Sequence, residues 1–234
     1  MLDDKLLRLC SLGDDSCLTF RRVQGNGRAP VICFLPWKAS LTTASRFGVV
    51  PKDNLACYEL PSAIVSSEPE LCVRAFHVII DDALSLIREV GIRPQDLVVI
   101  GLSVGTAPAT YLANHIGARL YSVASADYGH LMLWQSPATL LVKARAIEKG
   151  YSLADFADAM GGRHPVENLS NLREGSVFLF GDRDLLVPAP RRKSLADAVR
   201  ALAVRAQIVA LEHGHVRTMV EGVSLFEAER LAAA

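Results

Sequence analysis

The 234-residue sequence has no apolar run approaching the ~18 residues that a membrane span requires. It has no excess of charge either: 25 Lys and Arg face 25 Asp and Glu, so no general field draws in a nucleic acid or an anionic membrane. The densest basic stretch, Arg191-Arg192-Lys193, is three residues long. The opening Met1-Leu2-Asp3-Asp4-Lys5 is acidic and lacks the basic region and apolar run of a secretory signal. Five cysteines, Cys10, Cys17, Cys33, Cys57 and Cys72, are odd in number, lack CxxC spacing and lie mostly in apolar surroundings. That pattern argues against a disulfide framework and a zinc site and predicts reduced thiols in the cytoplasm.

What is present is apolar. Half the residues are hydrophobic, and the length suits one large domain with a substantial core. Six short β-branched or apolar runs, Val31 to Leu35, Leu55 to Leu60, Asp96 to Ile100, Leu120 to Ala124, Ser176 to Phe180 and Gln207 to Leu211, alternate with longer helical patterns. Runs this uniformly apolar fit strands covered on both faces, so the expected fold is α/β: a mostly parallel central sheet with helices on both faces.

Pro69 to Val90 repeats apolar residues at helical spacing, opened by Glu68-Pro69 and closed by Gly91 and Pro94. Val104 to Ile116, Lys193 to Val204 and Val216 to Ala233 are further helical stretches, and Pro108 is expected to kink the first of them. Between Tyr128 and Leu172 the alternation of strand and helix stops, and helical segments around Pro137–Lys149 and Leu153–Met160 are separated by Gly150 and Gly161-Gly162. Residues 128–172 therefore read as a short inserted helical cap on a core made of residues 1–127 and 173–234.

The third run leads into Gly101-Leu102-Ser103-Val104-Gly105 and then a helix. A sharp strand-to-helix turn of this composition holds a serine hydroxyl clear of the sheet, beside the positive end of the helix dipole, where negative charge develops in acyl transfer. A Gly-rich phosphate-binding turn is the bland alternative for such a motif. With this strand and helix around GxSxG, the chain resembles the α/β-hydrolase superfamily from Val31 to its last helix. The resemblance implies a triad in the order Ser, acid, His. In Gly181-Asp182-Arg183-Asp184-Leu185-Leu186-Val187-Pro188, Asp184 matches the acid loop, with Asp182 at the strand end as competitor. Glu212-His213-Gly214-His215 resembles the loop of the base, with His215 preferred over His213. Asp127, after the fourth run, stands where some members carry their acid and is the second choice for that role or a substrate contact. Of the remaining histidines, His77 and His115 fit helix faces, while His130 and His164 fall in the cap.

The chain departs from the superfamily where His-Gly usually follows the first core strand. It reads Leu35-Pro36-Trp37, and Pro36 has no N–H, so the backbone N–H groups of Trp37 and Val104 are the expected oxyanion donors. Tyr128, Leu131, Met132, Leu133 and Trp134 open the cap with an apolar sequence suited to a hydrophobic acyl or aryl group, or to docking the cap on the core. The resemblance implies a serine hydrolase with Ser103, Asp184 and His215 as triad, cleaving a small-molecule ester or thioester without metal or cofactor. The expected form is a monomer or homodimer with no nucleic-acid or membrane partner. The same residues would serve an acyltransferase or editing thioesterase, and a non-catalytic ligand-binding protein could share the fold.

Overall fold

The computed structural model describes residues 5–9, 19–23, 30–52, 54–202 and 206–232. Eight strands form one sheet: β1 (Lys5–Leu9), β2 (Thr19–Val23), β3 (Val31–Phe34), β4 (Ala56–Glu59), β5 (Val98–Leu102), β6 (Arg119–Val123), β7 (Val177–Gly181) and β8 (Gln207–Leu211), in the order β1-β2-β4-β3-β5-β6-β7-β8. The six strands from β3 to β8 correspond to the six apolar runs, and all pair in parallel. β1 and β2 add an antiparallel edge: β1 pairs with β2, and β2 with β4. The sequence gives them no comparable signal, since Thr19-Phe20-Arg21-Arg22-Val23 carries two adjacent arginines where buried strands are uniformly apolar.

Along β3 the side chains alternate between two cores. Ile32 and Phe34 join Tyr58, Val99, Leu120 and Phe178 on one face; Val31 and Cys33 join Cys57, Ile100, Val123 and Leu179 on the other. The first face is covered by α2 (Pro69–Val90), α3 (Thr106–Ile116) and α7 (Ala189–Ala201), the second by α1 (Leu41–Arg46) and α8 (His215–Ala232). The α2 helix has the bounds its periodicity predicts and ends at Gly91 in the left-handed conformation, φ 72°. By contrast, α7 begins four residues before the expected Lys193, because Pro188-Ala189-Pro190 supplies prolines suited to a helix start. The expected end of that helix at Val204, Ala233 of the last helix, and Cys10 and Cys17 lie outside the described residues. Cys33, Cys57 and Cys72 are buried, and none of them forms a disulfide among the described residues.

Two local expectations are corrected. The third parallel strand runs two residues further than expected, to Leu102, while Pro94–Asp96 form a 3₁₀ turn before it. Pro108 interrupts nothing, because Ser103–Gly105 form a 3₁₀ turn and α3 begins only at Thr106. That places the proline in the first helical turn, where its missing N–H has no intrahelical partner to lose.

Between β6 and β7 lie α4 (Gly129–Gln135), α5 (Leu140–Glu148) and α6 (Leu153–Met160). These helices share a small core of their own, in which Leu133, Ala146 and Phe156 meet Cys72 of α2. The α6 start is fixed by a capping box, Ser152 and Asp155 each satisfying the other's backbone N–H.

Candidate active site

The chain runs from β3 out to β4 and returns to place β5 on the other side of β3, so the loops after β3 and β5 leave the sheet in opposite directions. A crevice opens between them at the carboxyl ends of the strands. Ser103 sits there with φ 54°, a left-handed conformation disfavoured for a side chain with a Cβ. Neighbouring contacts hold it: Thr106 Oγ1 donates to the Ser103 carbonyl at 2.6 Å, and Ser125 Oγ donates to Thr106 Oγ1 at 3.0 Å. The glycines two residues either side of Ser103 are required by close approach. A Cβ at Gly105 would lie 2.3 Å from the Phe34 carbonyl oxygen, and one at Gly101 would lie 2.6 Å from Ala109 Cβ.

The structure brings Ser103, His215 and Asp184 together from three separate loops. Ser103 Oγ is 2.8 Å from His215 Nε2, and His215 Nδ1 is 2.6 Å from Asp184 Oδ2. Asp184 Oδ1 accepts from the N–H groups of Leu186 and Val187 at 2.8 and 3.0 Å. Burial pushes the Asp184 carboxyl up, but the hydrogen bond and charge of His215, with those two N–H groups, outweigh it and hold the carboxyl below its ordinary value. With Nδ1 held by a carboxylate, the imidazole keeps Nε2 free to accept the serine proton.

The competing residues lie elsewhere. Asp182 is exposed, and His213 Nδ1 is 3.0 Å from the Glu212 carbonyl. Asp127 is fully buried: its Oδ2 is 3.1 Å from Arg191 Nη1, an ion pair whose angle does not make a hydrogen bond, and its Oδ1 accepts from the Tyr128 N–H at 2.7 Å. It touches neither His215 nor the cavity, which corrects its reading as acid or substrate contact. The basic triplet is likewise absorbed internally, since Arg191 pairs with Asp127, Arg192 donates to loop carbonyls and Lys193 pairs with Asp197 at 2.6 Å.

A cavity of about 340 Å³ adjoins the triad and is walled largely by apolar side chains. Ser103, Val104, Trp37 and His215 line it, and among the described residues no group accepts a hydrogen bond from the Trp37 or Val104 backbone N–H. The Trp37 indole is engaged separately, donating to the Ser62 carbonyl at 3.2 Å. Pro36 to Ala39 form a tight turn with Lys38 at φ 63°. Of the expected cap residues, Met132 and Leu133 line the cavity, whereas Tyr128, Leu131 and Trp134 do not. On the short α4 helix one face meets the cavity; Trp134 packs on Phe156 at 5.2 Å, and Tyr128 lies against His130 and His164. Sequence reasoning missed Ile64, Val65, Phe76 and Met160 on the wall. Phe76 belongs to the regular apolar stripe of α2, and nothing in that stripe distinguishes a core residue from a cavity residue.

His164 also lines the cavity. Its Nδ1 accepts from the Gly129 N–H at 3.2 Å, so its proton sits on Nε2, 2.9 Å from His130 Nδ1. Burial is the chief cause that pushes His164 down to about 4, aided by His130 and Arg163 and opposed by Glu167. His77 lies 3.1 Å from Arg163, and His115 stacks on Tyr111. No helix among the described residues is long and apolar enough to cross a membrane, and no three His, Cys, Asp or Glu side chains there gather as metal ligands.

No protein-family model matches the chain, and no curated protein matches its sequence. Solved structures do. Mouse alpha/beta hydrolase domain-containing protein 10 is 14% identical over 98% of each chain, with a TM-score of 0.60. An esterase from Pyrobaculum calidifontis is 16% identical with a TM-score of 0.58, the match covering 98% of this chain and 85% of the esterase. An acylaminoacyl peptidase from Pyrococcus horikoshii is 12% identical with a TM-score of 0.60; the match covers 96% of this chain, which spans only 40% of the peptidase's length. Identities this low carry the architecture and not the chemistry. The parallel sheet order, the helices on both faces and these neighbours together establish that the chain has the α/β-hydrolase fold.

Proposed function

We propose that this chain is a serine hydrolase that cleaves a small carboxylic ester or thioester through an acyl-enzyme. The observation that carries the reading is the unbroken run of hydrogen bonds from Ser103 Oγ through His215 to Asp184, at 2.8 and 2.6 Å, on the wall of an apolar cavity. Ser103 Oγ attacks the carbonyl carbon while His215 Nε2 takes its proton, and the same nitrogen then protonates the departing alcohol or thiol. His215 next deprotonates a water molecule that attacks the acyl-serine, releasing the carboxylic acid and returning the proton to Ser103. Asp184 keeps the imidazole in its working tautomer and balances the imidazolium between steps.

The Val104 and Trp37 N–H groups, neither committed to another described acceptor, suit the developing oxyanion. Residues 128–172 act as the cap that selects the acyl group, with Met132, Leu133 and Met160 contributing to the wall. Three buried cysteines without a disulfide among the described residues suit a reducing, cytoplasmic setting.

Turnover of a chromogenic short-chain ester and a matching thioester tests the reading. His215→Ala is expected to lower kcat by roughly 10³-fold or more, and His213→Ala to leave it within about threefold. The reverse ranking, or no loss in His215→Ala, would overturn it.

A further inference from the structure

Arg163 follows the Gly161-Gly162 pair after α6 and lines the cavity that holds Ser103. Its Nη1 donates to the carbonyl oxygens of Ala159 and Gly161 at 3.2 and 2.8 Å, and its Nη2 is 3.1 Å from His77 Nε2 on α2. Its Nε is buried and has no hydrogen-bond partner among the described residues.

The electrostatics around it are unbalanced. No described carboxylate lies within ion-pair distance of Arg163, in contrast to Arg191, which has Asp127 at 3.1 Å. Among the described residues that line the cavity there is no Asp, Glu or Lys, and Arg163 is the only arginine. His164 beside it is neutral at pH 7, because burial pushes it down to about 4. A guanidinium is always charged, and Arg163 is half-buried with an unpartnered buried Nε, so an anion entering this mostly apolar cavity would find a charged donor with no competing carboxylate. A carboxylate matches the planar donor fork of arginine in shape as well as charge.

We propose that the substrate carries a free carboxylate on the part that enters this cavity, with Arg163 as its counter-ion, so that a half-ester of a dicarboxylic acid is the simplest member of the substrate class. The assignment rests on the serine-hydrolase reading for the bond cleaved, but it concerns the charge of the ligand and is separately measurable. If Arg163 served merely to cap the end of α6 through Ala159 and Gly161, the charge of the substrate would not matter.

The test compares two esters of equal length on the purified full chain: the 4-nitrophenyl monoester of adipic acid, which keeps a free carboxylate, and its methyl-capped neutral counterpart. The wild-type protein is expected to favour the free acid in kcat/KM by at least about tenfold, as a charge-assisted hydrogen bond implies. That preference is expected to vanish in Arg163→Met and to survive in part in Arg163→Lys. An equal or lower kcat/KM for the free acid, or an unchanged preference in Arg163→Met, would overturn the assignment. Should Arg163→Met fail to fold, the wild-type ester pair and Arg163→Lys still decide.

If wild type cleaves neither ester, the hydrolase reading fails, and binding alone tests the anion site. Adipate at saturation should then raise the melting temperature by about 2 °C or more while dimethyl adipate does not. Equal shifts, or none, would overturn it.

Discussion

Asp184 and His164 are both titratable and both deeply placed, yet their surroundings act in opposite ways. Asp184 accepts hydrogen bonds from the His215 ring and from two backbone N–H groups, so its charged form is favoured despite burial. His164 accepts from one N–H, donates towards a second imidazole and has no carboxylate bonded to its ring, so its neutral form is favoured. The sign of the consequence follows from linkage. The folded-state value of His164, about 4, lies below the ~6.5 of an unfolded histidine, so the unfolded chain binds more protons between those values. The contribution of His164 to stability is therefore complete above pH 6.5 and is lost as pH falls towards 4. Urea unfolding followed from pH 7 to pH 4 should show this loss, and His164→Gln should flatten it by at most about 1.4 kcal/mol per pH unit, less with solvent screening. An identical slope in the variant would contradict the locked neutral pair. Ser103, Asp184 and His215 could be singled out in the sequence because each sits in a short loop whose spacing resembles the superfamily's, and the structure brings these three side chains within hydrogen-bond distance. The His130–His164 pair could not be, since the two residues lie 34 positions apart and meet only when the segment after β6 folds back.

At the scale of elements, the acid loop between β7 and α7 is held by a residue that no motif marks. Arg192, in the first turns of α7, donates through Nη1 to the Asp184 carbonyl at 2.7 Å and to the Val187 carbonyl, and through Nη2 to the Asp182 carbonyl at 3.2 Å. A single guanidinium thus ties three carbonyls of the loop that presents the Asp184 carboxylate to His215. In the sequence the same residue reads as part of a basic triplet, because the target of its donors is backbone and leaves no trace in residue types. Arg192→Met should lower kcat by roughly tenfold, about 1.4 kcal/mol of barrier, with KM within about twofold. A purely structural role would lower the melting temperature while leaving kcat unchanged well below it, and steady-state kinetics at 25 °C separate the two. The sequence read the parallel strands and α2 well for a converse reason: both depend on burial by regular elements, and burial is written directly in apolar periodicity. The β1–β2 edge follows from pairing to β4, which periodicity does not record.

Across the whole molecule, His215 is separated from Ser103 by 112 positions and from Asp184 by 31, and the parallel sheet is what makes them neighbours. Every parallel strand delivers its outgoing loop to one end of the sheet, and the reversal of strand order between β3 and β5 opens that end. The three helices after β6 share a small core of their own, and Met132, Leu133 and Met160 from them line the cavity. On the proposed mechanism this arrangement makes Ser103 a nucleophile rather than a bystander in a binding cleft. Intact-mass measurement after incubation with a fluorophosphonate tests it most directly. One adduct per chain, mapped by peptide sequencing to Ser103 and absent from a folded Ser103→Ala variant, is the predicted result. An unlabelled wild-type protein, or an adduct that persists in Ser103→Ala, would contradict the account.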